Sequence, residues 1–135
     1  MAALSDPIYM DTSALVKLVV AEPESDALRE HLETTGCQMT TSLVSEVELT
    51  RAVNRIDESM HRQIAHLLSR QVVLPMTESI RIRASYLQPL GIRSLDAIHI
   101  ATAVEIQPNL DSVVSYDNRL LEAARSFGLQ VSSPD

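Results

Sequence analysis

The stretch Ile8-Tyr9-Met10-Asp11-Thr12-Ser13 decides how the chain is read. Three apolar residues make a short buried strand, and an acid follows them directly. Asp11, Thr12 and Ser13 are all residue types that cap helix N-termini, so a helix is expected from there through Val20, with Pro23 as its breaker. Asp11 therefore stands at the carboxyl end of a strand, the edge where open α/β sheets bind their ligands.

Outward from this stretch, strands and helices alternate. Ser25 is expected to cap a helix with Ala27, Leu28, His31 and Leu32 on one face, stopped by Gly36. Gln38–Thr41 reads as a strand. A helix starts at Ser42 and runs to about Asn54, with Leu43, Val47 and Val44 facing inward. Helices over Glu58–Arg70 and Glu78–Leu87 flank a strand at Val72-Val73-Leu74. Pro89 and Gly91 mark a loop, Ser94 caps a helix through about Glu105, and Pro108-Asn109 turns the chain. Ser112–Ser115 is a strand, Asp117-Asn118 opens a helix ending before Gly128, and Leu129-Gln130-Val131 is a last strand. This alternation predicts an α/β fold with a parallel sheet covered on both faces.

The 135 residues suit a single domain, 1–135, able to bury roughly two-thirds of its unfolded surface. Hydrophobic residues at 45 % and charged residues at 21 % exclude a disordered tail or fibre. No repeat, GxGxxG or GxxxxGK pattern occurs, which excludes a nucleotide-cradling loop. Cys37 is alone, so no internal disulfide or Cys/His zinc pattern forms, as suits a reducing cytoplasm. Lys17, Glu22 and Pro23 interrupt the early apolar run, so no membrane span is expected. No basic region of a signal peptide precedes that run. Aromatic residues are scarce, which argues against a base-stacking platform. The net charge of −7, from 18 acids and 11 bases, counts at first sight against nucleic acid. Ten of those bases are Arg, and Lys17 is the only lysine.

The placement of the acids changes that reading. Asp11 and Asp117 follow strands, and Asp96 lies in the first turn of its helix. Glu48 lies one to two turns into the helix after the second strand. Glu46 points about 200° away from it around the helix, so at most one of the two faces a common site. Singly, each acid has a plain reading: helix capping for Asp11 and Asp96, a turn for Asp117, pairing with Arg51 for Glu48. Together on one edge they would repel one another, and a hard cation such as Mg²⁺ or Mn²⁺ removes that problem. Such an ion activates water and stabilises a phosphodiester under in-line attack. Arg51 and Arg55 share a helix face, for salt bridges and solubility or for contact with RNA phosphate or a partner's acid. His99 reads as a satisfied core histidine, His61 and His66 as solvated, and none of the four His as a base. Met10, Met39 and Met76 read as core fillers.

Ile8–Leu18 resembles the opening block of PIN-domain toxin ribonucleases of the VapC type. Ser42–Ala52 resembles the second block, whose acid is followed by an apolar residue and then Arg-Ala two places on, which selects Glu48 over Glu46. Arg93–Ala103, with Ser94-Leu95-Asp96-Ala97, resembles the third block. Ser115-Tyr116-Asp117-Asn118-Arg119-Leu120 resembles the fourth, with Ser115 where Thr is more usual. Glu22 matches a common feature of these toxins and reads as structural capping.

The resemblance spans Ile8 to Val131 and implies a three-layer α/β/α fold with a central, mainly parallel sheet. It implies a Mg²⁺- or Mn²⁺-dependent endoribonuclease that leaves a 5′-phosphate and a 3′-hydroxyl. Asp11, Glu48, Asp96 and Asp117 would form the acidic pocket, with Asp11 and Asp96 as main metal ligands. Glu48 and Asp117 would complete the site or orient the attacking water. Ser13 and Ser115 would support the carboxylates or a phosphate. Arg51, Arg55 and Arg93 would contact RNA or antitoxin. The implied partners are a small cognate antitoxin and a second copy of the chain.

Three other readings carry less. A silent RNA- or antitoxin-binding module fits the fold but not the full set of acids. A DNA nuclease shares the chemistry. A receiver-type signalling domain relies on a lysine near the last strands, whereas Lys17 lies in the first helix. Setting the four pocket acids aside leaves −3 of the −7, so the acidity becomes in part a metal site.

Overall fold

The structure is a computed structural model that describes residues 6–135. The start of the expected domain, and part of the N-terminal stretch read as lacking a signal region, lie outside the described residues. One five-stranded sheet runs through the described residues: β1 (Pro7–Met10), β2 (Gln38–Ser42), β3 (Val72–Leu74), β4 (Ser112–Val114) and β5 (Val131–Ser132). Its order is β3-β2-β1-β4-β5, and every neighbouring pair is parallel. The chain steps outward from β1 to β3, then returns to lay β4 on the other side of β1. The crevice between the carboxyl ends of β1 and β4 is thus the switch point, where parallel α/β sheets take their ligands.

Helices α1 (Thr12–Lys17), α2 (Ser25–Thr35), α3 (Val44–Asn54), α4 (His61–Ser69), α5 (Glu78–Ser85), α6 (Ser94–Glu105) and α7 (Asn118–Ser126) cover the sheet. Side chains alternate across β1, as strand geometry requires. Ile8 and Met10 join Leu15, Leu28, Leu49 and Ile64 in one core. Tyr9 points to the other face, with Val113, Ala103 and Ala124. The result is the expected three-layer α/β/α arrangement, with the sheet wholly parallel.

Several local expectations are corrected. Leu43 and Val47 do not face inward: they are 46 % and 63 % exposed. Strand β2 continues through Ser42, and Leu43 N–H still donates to Leu74 O, so α3 starts later. Its buried stripe becomes Ser45, Leu49 and Val53. Helix α1 ends at Lys17 rather than Val20. Ser25 is the first residue of α2 and not its cap. Its Oγ accepts from Glu22 N–H at 2.9 Å and donates to Val20 O at 3.3 Å, latching the loop instead. Ser94 likewise lies inside α6, whose N-cap, Arg93, makes no side-chain capping bond. Leu95 and Met76 are exposed, whereas Met10 is buried and Met39 packs against the core. Gly36 ends α2 at φ +62°, the left-handed conformation that favours glycine.

Candidate active site

Asp11 follows β1 directly and caps α1, and its carboxylate is almost fully enclosed. Oδ1 accepts Ala14 N–H at 3.1 Å and the Ser13 hydroxyl at 2.7 Å. Oδ2 accepts the Ser115 hydroxyl at 2.7 Å. Each hydroxyl is also an acceptor: Ser13 Oγ for Tyr116 N–H at 2.8 Å, Ser115 Oγ for Asp117 N–H at 3.0 Å. The two serines therefore tie the ends of β1 and β4 around one carboxylate. Burial raises the pKa of Asp11, opposed by Ser13, the nearby His99, Ser115 and the Ala14 amide.

Glu48 reaches the same edge from α3. Its Oε1 accepts the Thr12 hydroxyl at 3.0 Å and lies 2.8 Å from His99 Nε2. Burial pushes its pKa up, but the His99 and Thr12 contacts outweigh that and the net shift is downward. A carboxylate only accepts, so Nε2–H is the donor. The other ring nitrogen, Nδ1, lies 2.6 Å from the Tyr9 hydroxyl. Tyr9 is fully buried, and burial together with Asp11 and Glu48 raises its pKa well above the ordinary value. It keeps its proton, so Tyr9 O–H donates to Nδ1. His99 is thus the satisfied core histidine expected, with both ring nitrogens hydrogen-bonded, and one of its partners is a site acid. It is buried, but it bridges the core to a site acid. The clue lay in the spacing: His99 is three residues after Asp96, on the same helix face.

Asp96 stands in the first turn of α6. Burial raises its pKa, the Asp117 carboxylate adds to that, and Glu48 contributes in the same direction, while His99 and Arg93 oppose. Asp117 caps α7, with Oδ1 accepting Arg119 N–H at 3.0 Å. Asp96 thus lies within the fields of Asp117 and Glu48, while Asp11 and Glu48 both act on the buried Tyr9. Glu46 makes no side-chain hydrogen bond to this group among the described residues. Arg51 and Arg55 line a groove of about 500 Å³ with Thr12, Glu48 and Leu95. Arg93 lines another, of about 610 Å³, with Asp96 and Arg119. Arg119 was not singled out from the sequence.

Glu22 is an ion-pair partner rather than a cap. Its carboxylate lies 3.6 Å from Lys17 Nζ, which also contacts Glu24 at 2.7 Å. Lys17 Nζ stands 4.6 Å from the centre of the Tyr116 ring, so this buried cation braces the residue between Ser115 and Asp117.

The donor set fits a hard divalent cation. It consists of carboxylate oxygens, which Mg²⁺ and Mn²⁺ prefer. Asp11 Oδ2 retains a free lone pair, and Glu48 Oε2 accepts no hydrogen bond among the described residues. The mutual repulsion felt at Asp96 is the kind a cation relieves. Among the described residues, no three His, Cys, Asp or Glu side chains already form a closed ligand set.

The PIN domain family profile matches residues 8–126. Curated relatives include Ribonuclease VapC47 of Mycobacterium tuberculosis, 42 % identical over 131 residues, covering 94 % of this chain and 96 % of that one. Ribonuclease VapC46 of the same species is 38 % identical over 127 residues, with 94 % and 97 % covered. Among solved structures, VapBC2 from Rickettsia felis bound to a promoter DNA fragment aligns with a TM-score of 0.74 at 16 % identity, covering 96 % of this chain and 99 % of that one. A toxin–antitoxin complex from Klebsiella pneumoniae gives 0.71 at 21 % identity, covering 95 % and 98 %. The structural matches establish the fold, the profile spans nearly all of it, and the curated relatives align almost end to end. The chain belongs to the PIN-domain family, in its VapC group.

Proposed function

We propose that this chain is the toxin of a toxin–antitoxin pair, an endoribonuclease that hydrolyses RNA phosphodiester bonds with Mg²⁺ or Mn²⁺. The observation that carries the reading is the convergence of Asp11, Glu48, Asp96 and Asp117 at the sheet's switch point, in a chain whose curated relatives are named ribonucleases.

Asp11 and Asp96 would hold the ion, directly or through water, with Glu48 and Asp117 completing the set. When bound, the ion lowers the pKa of water and offsets charge on the phosphodiester. The protein's own residues prepare the rest. Ser13, Ser115 and Ala14 N–H hold both oxygens of Asp11 in place. Thr12 and His99 keep Glu48 ionised despite its partial burial. An ionised Glu48 is fit to accept a hydrogen bond from the attacking water and orient it. The products would be a 5′-phosphate and a 3′-hydroxyl.

Arg51, Arg55 and Arg93 border this site and would meet RNA phosphate or an antitoxin side chain. A small antitoxin protein as partner is supported by the structural relative described as a toxin–antitoxin complex. A second copy of the chain and a cytoplasmic setting complete the reading.

The test is inducible expression of wild type and Asp11→Asn, with mapping of RNA 5′ ends. Growth arrest and discrete new 5′ ends are expected for wild type alone. Cleavage by the purified protein should require Mg²⁺ or Mn²⁺. Full activity in Asp11→Asn, or cleavage in excess chelator, would sink the reading.

A further inference from the structure

We infer that His99 and Tyr9 form a buried positioning relay that orients Glu48, presenting only its Oε2 to the substrate side of the site. This rests on the ribonuclease reading above and adds residues to its machinery. The geometry is one continuous chain. Tyr9 on β1 contacts His99 Nδ1 at 2.6 Å, and His99 Nε2 contacts Glu48 Oε1 at 2.8 Å. Thr12, the first residue of α1, donates to the same oxygen at 3.0 Å.

Each link is rigid. Tyr9 is fully buried in the second core and meets the His99 ring edge-on, with centroids 5.8 Å apart. His99 is 3 % exposed on α6, the helix that also carries Asp96. The relay thus joins three elements, β1, α6 and α3, and references Glu48 to the strand and helix that carry two other site acids. Two donors on Oε1 occupy that oxygen, whereas Oε2 accepts none among the described residues. A half-buried glutamate still has several rotamers open to it, and this pairing selects one. A simple packing role for His99 would be met by an apolar side chain of similar size. It would not need a donor aimed at Glu48 from one nitrogen and a buried phenol fixing the other.

Outer hydrogen-bond partners of metal-site carboxylates and histidines are worth about 10–100-fold in activity or metal affinity. The decisive pair is His99→Gln and His99→Asn. A glutamine amide nitrogen lies near the position of Nε2 and reaches Glu48. An asparagine amide lies near Nδ1, where its Oδ1 accepts from the Tyr9 hydroxyl, and it does not reach Glu48. The proposal expects kcat of His99→Gln to exceed that of His99→Asn by about tenfold or more, with KM for RNA within about twofold. Tyr9→Phe, which removes one oxygen, should lower kcat by a few-fold and leave KM unchanged. Binding of Mn²⁺ to the RNA-free protein, read by calorimetry, should follow the same order: wild type, then His99→Gln, then His99→Asn.

Melting curves identify which variants are folded, and only those are compared. Should neither His99 variant fold, Tyr9→Phe alone decides: unchanged kcat and Mn²⁺ affinity overturn the relay. Equal kcat and equal Mn²⁺ affinity in folded His99→Gln and His99→Asn also overturn it. Asp96→Asn is assayed alongside. If it abolishes cleavage while the His99 variants match wild type, only the relay fails. If Asp96→Asn keeps full activity, the ribonuclease site itself is wrong.

Discussion

Ser115 Oγ donates to Asp11 Oδ2 at 2.7 Å, joining two residues 104 positions apart in the chain. One hydroxyl thereby closes the crevice between β1 and β4. The same Ser115 oxygen accepts Asp117 N–H at 3.0 Å, so it sets two of the site's acids at once.

Ser115→Ala should therefore destabilise the fold by about 1–3 kcal/mol, because it strips a buried carboxylate oxygen of its partner and leaves Asp117 N–H unsatisfied. Ser115→Thr keeps the hydroxyl and should hold stability within about 1 kcal/mol. Urea unfolding of the metal-free protein reads both. Equal stability of the alanine variant and wild type would show that Asp11 is solvated, not clipped.

Asp96 is the acid that the others disfavour most visibly. Its folded-state pKa is raised, first by burial and next by Asp117. A raised carboxylate pKa means that the folded state holds the proton more tightly, so stability falls as pH rises from the unfolded value of about 3.9 through the raised one. Without metal, Asp96→Asn removes that penalty. The variant should equal wild type at low pH and become the more stable of the two at neutral pH. A difference that is independent of pH would refute the repulsion. The site would then trade stability for a charge arrangement that serves chemistry.

The fold was legible because its deciding signals are local. Ile8-Tyr9-Met10 is apolar and is followed by capping residues, Val72-Val73-Leu74 matches the observed strand residue for residue, and the helix expected after Ser94 ends at Glu105 as observed. Asp11, Asp96 and Asp117 were legible because they sit at element junctions, where position along the chain predicts position in space. Glu48 was not legible from periodicity alone. The apparent stripe of Leu43 and Val47 came from starting the helix at Ser42, whereas β2 holds that residue for the sheet. The motif, not the pattern, selected Glu48 over Glu46, and it is Glu48 that contacts Thr12 and His99. The contacts of His99, Tyr9 and Lys17 could not be read, since their partners lie on other elements, and a buried polar residue looks like core until its contacts are known.

Metal binding should couple to stability in the way charge relief demands. At a free Mn²⁺ concentration of 100 times its dissociation constant, an ion that binds only the folded state adds about 2.7 kcal/mol. Wild type should therefore melt at a higher temperature with Mn²⁺ than with chelator. Asp96→Asn should lose most of that gain while melting higher than wild type in chelator. A gain of equal size in Asp96→Asn would exclude this carboxylate from the ion's site.

The arginines can be separated from the acids by salt. Single-stranded nucleic acid gives a log–log salt slope of about −0.7 per phosphate neutralised. If Arg51 and Arg55 each meet a phosphate, replacing both with Ala should flatten the slope for RNA binding by about 1.4, with weaker binding across unrelated sequences. Binding measured in Ca²⁺ or with Asp11→Asn avoids cleavage during titration. An unchanged slope would reassign the pair to the antitoxin or to plain surface solvation.

Lys17 tests how far the site depends on its surroundings. It is buried beside Tyr116, and although burial pushes its pKa down, Glu24 and Glu22 outweigh that and the net shift is upward. A raised lysine pKa contributes stability that is present below the ordinary value and lost as pH climbs through the raised one. Its carboxylate partners are one-third exposed, at 35 % and 34 %, so water screens much of the charge attraction. Packing of the stem should dominate. Lys17→Met, which keeps the length, should lie within about 1.5 kcal/mol of wild type, whereas Lys17→Ala should lose about 1–3 kcal/mol. The Met variant should also lack the wild-type fall in stability at alkaline pH. If Met is as damaging as Ala, the charge rather than the stem is what holds Tyr116, and with it the Ser115–Asp117 edge of the site.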